Sequence, residues 1–502
     1  EASAGNHEQS PIAPFIPLEE TNVTPAVGYL PFASPVLEEP TTKQGYLSEE
    51  VSITEEFRSV TQASMEIKAN QRGGGDDEQG NAVPERIGYG LSPFLQEQLK
   101  SLEGAMVEKV SNSRPKIQMV PYILRKKENF VKYYKPVVLA LGPIHHYDTD
   151  LEESEKLKLL LAGHFIKKNA VNKEDLCNKI LMKIECLKAC YAENLLTIYS
   201  DEQLTWMFLV DGCAVLCFIQ CLVVEVEGGK KVGFRYDKLN ALNVKIDRIP
   251  FIIRDLFLLE NQLPYQLLLL ICSVTANSER LIGTIKMLAA ERAGAEAPPS
   301  PESVKGGEPH HLLDLLRDYL VVKHEDSSKE EKLPCSNRQA QNTSSHEQQQ
   351  NGKEKKPQYS NQYTFRNVAE LKASGIEFKR SKTNSLKAIS FDPSWFLGTV
   401  KLPLLRVSDD SAPTFLNLIA YEMCPDFKNE YDVTSYMCFL DSLIDQPEDV
   451  AELRKANILH NLFGSDEEVA SLFNEIATDL VPNPKFYGDV KEQIEDVFQN
   501  KW

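Results

Sequence analysis

The chain has 502 residues, 42% of them hydrophobic, and a formal net charge of -18. That length and apolar content suffice for a sizeable buried core and exclude a wholly disordered chain. The acidic balance argues against a phosphate-tracking surface, because nucleic-acid affinity draws on clustered Lys and Arg, so no nucleic-acid partner is expected.

The excess charge is concentrated at the amino end, where residues 1–100 carry 16 acidic against 6 basic side chains. Residues 1–92 are rich in Pro, Glu, Ser and Thr and include GGGDDEQG from Gly73 to Gly80. Such a composition buries too little apolar area to offset chain entropy, and a disordered acidic leader is expected. EASAGNHEQS has neither the basic start nor the apolar stretch of a signal peptide. The first residue is not Met and the chain stops abruptly at FQNKW, a pattern that points to processing or truncation.

A lead-in helix is expected over 94–110, where FLQEQLKSLEGAMVEKV places apolar residues at helical spacing. From Ile117 to Leu141 the β-branched pieces IQMVPYIL and PVVLALGPIHH, bounded by Pro, predict one or two short strands. Long helical periods follow at 151–168, 173–199, 201–226 and 250–273, with Leu157, Leu160, Leu161 and His164 on one face of the first. The apolar run Trp206–Val226 contains Asp211 and Gln220, which suits a helix buried in protein better than one in lipid. Residues 291–309 and 324–361 are polar and low in aromatics, and mobile inserts are expected there. Between them His310–Val322 predicts a short amphipathic helix that must dock to be stable. NVAELKASGIEFKRS, SLKAISFD and GTVKLPLLRVSD predict a helix and strands, and helices return after Pro413 to an acidic amphipathic one at 488–502.

Several polar groups invite a chemical reading. Adjacent His145 and His146 could ligate a metal or relay a proton, but neighbours in sequence rarely face one way, and no third ligand at motif spacing accompanies them. Cys213, Cys217 and Cys221 fall at i, i+4 and i+8, which stacks three thiols on one helix face. Without a Cys-x-x-Cys knuckle they read as small core hydrophobes in a reducing compartment. Asp211, Glu260, Asn261 and Gln262 lie in the most apolar regions, where unpaired burial would be costly. No nucleophile elbow or phosphate loop accompanies them, so helix capping or pairing with Arg254 or Arg248 is the expectation. The sequons at Asn22 and Asn342 matter only if the chain faces a secretory lumen.

The blocks VPYILRKKE, KPVVLALGPIHHYD, FLVDGCAVL, RDLFLLENQLPYQLL, HLLDLLRDYL, AELKASGIEFK, LPLLRVSDDSAPTFLNLIAYE and VTSYMCFLDSLI resemble, in order, the landmarks of the plant family named domain of unknown function 247 (UPF0481-type). The likeness spans about 115–480, and a long leader and a low-complexity insert from Pro298 to Gln362 depart from it. It implies a largely helical plant protein with no established catalytic residues and no cofactor. Most members end in one hydrophobic helix, which here would follow Trp502, and members in grasses are implicated in self-incompatibility. The landmark positions carried over are Gly142, Pro143, His145 and His146; Asp211, Gly212 and Cys213; and Arg254, Asp255, Glu260, Asn261, Gln262, Leu263 and Pro264.

The fold expected is mainly α (α+β), a large helical domain over 93–480 with a small β element and a tail helix over 481–502. The function expected is non-enzymatic recognition or signalling with an unidentified protein partner, no metal and no cofactor. The protein would be tethered to the plasma membrane by a segment beyond the chain end, with its domain in the cytoplasm. The competing expectation is a hydrolase or metal enzyme using His145, His146, Asp211 and Glu260, which would require those four to converge on one pocket.

Overall fold

The computed structural model describes residues 92–105, 115–226, 231–295, 298–299, 307–322, 366–393, 398–428, 430–483 and 485–499. The expectations for the leader, for both sequons and for the 324–361 insert lie outside these residues. The chain divides after Glu103 into two units, and the helix α1 (Pro93–Ala105) begins in the first. The expected helix over 94–110 is seen as far as the described residues reach, to Ala105, and Phe94, Leu95 and Leu99 on it are exposed.

The fold is mainly α. In the second unit the first helices are α2 (Tyr122–Arg125), α3 (Phe130–Tyr134), α4 (Glu152–Lys168), α5 (Lys173–Met182), α6 (Ile184–Lys188) and α7 (Asp201–Leu222). The expected single helix over 173–199 breaks at Lys183, and a few residues later Tyr191 forms a parallel bridge with Ile117. That bridge is all the β-structure found in Ile117–Leu141, where strands were expected. The buried face of α4 is Ser154, Lys158, Leu161, Ala162 and Phe165, while Leu160 points outward. The expected face is thus rotated, because α4 lies along α7 and Lys158 reaches into it.

Ser200 starts α7 with a capping box, its hydroxyl accepting from the Gln203 N–H while the Gln203 side chain accepts from the Ser200 N–H. This helix is long and apolar enough to cross a membrane, but 89% of its apolar window is buried against α4, α5 and the helices that follow, as in a core helix. It stops at Leu222, short of the expected 226. Val223–Val226 is instead strand β1, paired antiparallel with β2 (Lys231–Phe234), a pleated setting that suits β-branched residues.

Next come α8 (Asp237–Ala241), α9 (Ile249–Asp255), α10 (Tyr265–Ser273), α11 (Ser278–Arg292) and α12 (Leu312–Val321). The expected helix over 250–273 is interrupted from Leu256 to Pro264, since Pro264 lacks an N–H and disfavours helix at the residue before it. Glu291 and Arg292 close α11, so the expected 291–309 insert starts inside ordered structure. The short helix expected at His310–Val322 does dock: α12 is capped by His311 and buries Leu312, Leu313, Leu315 and Leu316.

The last part holds α13 (Val368–Ala373), β3 (Glu377–Arg380), β4 (Ser390–Asp392), β5 (Thr399–Leu402) and β6 (Leu405–Val407), followed by α14 (Ser411–Glu422), α15 (Asp432–Asp441), α16 (Pro447–Lys455), β7 (Leu459–Asn461), α17 (Asp466–Ala477) and α18 (Gly488–Gln499). β5 lies between β3 (parallel) and β4 (antiparallel), and β6 pairs parallel with β7. One continuous hydrophobic core runs from Ile117 to Ile494.

Candidate functional site

Residues 137–142 belong to no helix or strand, and bends mark Val137, Val138 and Gly142. Buried N–H groups need partners, and here side chains from distant helices supply them. The Oδ2 of Asp255, at the end of α9, accepts from Val137 (3.0 Å), Val138 (2.7 Å) and Leu139 (2.9 Å). Ser154 Oγ accepts from the Ala140 N–H at 2.8 Å. Asn261 Oδ1 accepts from the Leu141 N–H at 2.7 Å, and its Nδ2 donates to Leu139 O at 2.8 Å. The Asn261 amide therefore occupies the two sites that a paired strand residue would fill. Asp211 Oδ2 accepts from the Gly142 N–H at 2.8 Å.

Gly142 has φ +66°, and a β-carbon there would lie 3.0 Å from Gln262 O and 3.1 Å from Tyr191 Oη. Only glycine fits that turn without strain. Tyr191 donates its hydroxyl to Gln262 O, and Tyr199 donates to Pro143 O. Gln262 in turn donates to Leu256 O and Leu258 O and accepts from the Leu313 N–H, which fastens the start of α12 to the loop. On α7, a β-carbon at Gly212 would run into Ile271 of α10, and Cys213 is fully buried. Leu263 Cδ2 completes the wall beside Gly142, and Pro264 follows it as the residue before α10.

Three charged contacts flank this core. His145 Nε2 lies 3.2 Å from Glu260 Oε2, and Glu260 Oε1 accepts from the Val120 N–H. Lys158, wholly buried, places Nζ 2.7 Å from both Asp211 and Glu155. Burial opposes its charge, but the two carboxylates outweigh that and hold Lys158 above the usual lysine range. Burial lifts Asp211, while Lys158 and the Gly142 N–H pull it back. Burial likewise raises Asp255 against its backbone donors and Arg254, whose Nη2 lies 3.4 Å from Asp255 Oδ1.

His146 turns the other way, 3.4 Å from Glu155 and edge-on to Tyr147 and Tyr199, whose rings stack at 5.6 Å. Of the four residues of the enzyme reading, His145 and Glu260 pair with each other, while His146 and Asp211 are joined only through Glu155 and Lys158. Arg248 makes none of these contacts, and the expected pairing of Asp211 and Glu260 with Arg254 or Arg248 is replaced by Lys158 and His145. Among the described residues no group of three or more His, Cys, Asp or Glu is placed to hold a metal ion. The thiol ladder lies in the core; the Cys221 sulfur beside it, together with burial, pushes the Cys217 thiol up.

The segments that build this network are the sequence landmarks in their order along the chain. A model of the family DUF247, described as a plant protein of unknown function, matches residues 117–502. The chain belongs to this family. It is similar to the UPF0481 protein At3g47200 of Arabidopsis thaliana, 27% identical over 380 residues that cover 72% of this chain and 73% of the relative. At3g02645, a second UPF0481 protein of the same plant, is 21% identical over 444 residues, 74% of this chain and 80% of its own length. No solved structure matches.

Every landmark position of this DUF247 chain lies in or beside the one network. Lys158, Ser154, Tyr191, Tyr199 and Asn417 also belong to it and were not anticipated. Asn417 accepts from the Leu259 N–H and donates to Tyr133 O, which joins the loop to α14. One signal was available for Lys158: it shares a helical face with Leu161, Ala162 and Phe165, an unusual place for lysine unless a carboxylate waits there.

Proposed function

We propose that this DUF247 protein is a non-enzymatic recognition or signalling component, tethered to the plasma membrane with its domain in the cytoplasm. The observation that carries the reading is the inward use of the polar landmark residues. Asp211, Asp255, Glu260, Asn261 and Gln262 are each at most 2% exposed and bound to backbone or buried partners of the same chain. Groups held this way are unavailable to a substrate, which leaves the outer surface as the working part. That surface carries large exposed side chains such as Trp206, Tyr147 and Tyr122, residue types that anchor protein contacts. Tethering and a role in grass self-incompatibility are supported by what the family resemblance implies.

The test is a pair of variants, His145→Gln and Glu260→Gln, expressed in plants lacking the native gene. A structural role lowers the melting temperature and reduces function in step with the folded fraction. A variant that melts at the native temperature but fails to restore function would return the pair to catalysis. Fractionation of the native gene product tests the tether: recovery in the soluble fraction would refute it.

A further inference from the structure

A second feature lies away from the landmark network, where the end of α11, the start of α14, β6 and the stretch around Asn384 enclose a cavity of about 160 Å³. Its lining combines the apolar side chains of Leu320, Leu386 and Phe415 with the charged ones of Glu291, Arg292 and Arg406. Glu291 and Arg406 both line it, and neither side chain has a hydrogen bond or ion pair among the described residues. Burial pushes the Glu291 carboxyl up, although Arg292 and Arg406 oppose the shift.

The cavity is also polar in the electrical sense. Glu291 stands in the last turn of α11, where the helix carbonyls already present partial negative charge, so a cation there is favoured twice over. The start of α14 also lines the cavity, but the Ser411 N–H already donates to Ser408 O and Pro413 has none, so the positive charge offered to a ligand is that of Arg406. Arg292 bridges the two ends: Nη1 lies 3.3 Å from Asp410, Nη2 donates to Thr414 at 2.8 Å, and its buried Nε has no acceptor. Asp410 is thereby paired, which leaves Glu291 on α11 and Arg406 on β6 as the lining charges without a hydrogen bond or ion pair among the described residues.

We propose that this cavity binds a small zwitterion with an apolar side chain, the chemistry of a free α-amino acid, its ammonium at Glu291 and its carboxylate at Arg406. The volume supports the class, since drug-sized ligands need roughly 300 Å³ or more. Leu320, Leu386 and Phe415 give the side chain an apolar wall, which selects against a small polar zwitterion such as glycine.

The experiment is titration calorimetry on the intact protein with L-leucine, L-methionine and L-phenylalanine, paired with N-acetyl-L-leucine and L-leucinamide. Saturable binding of at least one free amino acid is expected. Blocking either end of the ligand, or introducing Glu291→Gln or Arg406→Gln, should weaken it at least about tenfold, the lower end for a hydrogen bond to a charged group. Glu291 is half-buried and Arg406 exposed, so both variants fold, and unchanged melting temperatures without ligand verify that. Absence of saturable binding by all three amino acids overturns the proposal, as does equal affinity for the blocked ligands or in both variants.

Discussion

Asp255→Ala removes the acceptor of three consecutive backbone donors and is the sharpest test of the network. Asp255 is fully buried and takes the Val137, Val138 and Leu139 N–H groups at 2.7 to 3.0 Å. A stranded buried donor costs about 1–3 kcal/mol. Leu139 is buried and counts near the top of that range, whereas Val137 and Val138 are nearer to solvent and count near the bottom. The total is about 5 kcal/mol, against about 5–15 kcal/mol for the stability of a typical domain. Asp255→Asn retains one acceptor oxygen but turns an NH₂ toward the donors, and should cost about half as much. The urea midpoint, read by circular dichroism with amide exchange across 137–141, reports both the global and the local effect. An Asp255→Ala protein within about 1 kcal/mol of native, with those amides still protected, would show that the carboxylate does not hold the segment.

Lys158→Met leaves Asp211 buried without its cation and should cost about 3–5 kcal/mol, while the double variant Lys158→Met/Asp211→Asn regains at least half, as measured by urea midpoint. Burial pushes the Tyr265 phenol up to about 12 and that of Tyr199 likewise to about 12, against ~10 in an unfolded chain. Because the folded values are raised, their stabilising contribution is complete below about pH 10 and is lost as pH rises toward about 12; absorbance at 295 nm with parallel urea melts checks this. Burial holds the Cys213 and Cys272 thiols up at about 12, so a thiol reagent should label exposed Cys186 first and these two only on unfolding. Replacing Cys213, Cys217 and Cys221 by Val should cost roughly 1–3 kcal/mol in total without altering metal content, as shown by melting and elemental analysis.

Helices α7, α12 and α14 were legible because their apolar patterns are local. What the sequence misled on shares a cause: local pattern could not reveal a partner far along the chain. Val137–Leu141 has the composition of a strand, but its backbone is satisfied by Asp255, Ser154 and Asn261 instead of a ladder. The run from Phe251 to Cys272 has helical apolar content, but the Glu260–Pro264 stretch leaves the helix so that its side chains can reach 120, 139, 141 and 145. Polar residues in apolar runs pointed to the right site, and their spacing gave no means of choosing Lys158 over Arg254 as the cation.

The side-chain clamp on residues 137–142 also has a consequence for the order of events during synthesis. Leu141 emerges from the ribosome 120 residues before Asn261, the residue that pairs with it. At about 5–20 residues per second that interval lasts roughly 6 to 24 s, far longer than helix formation or collapse. For nearly all of it the apolar stretch Val137–Leu141 has neither Asp255 nor Asn261, and its unpaired backbone donors are open to any other extended chain. The nascent DUF247 domain therefore passes through a window in which a holding chaperone would bind this segment, and slowing translation between codons 142 and 261 should raise aggregation.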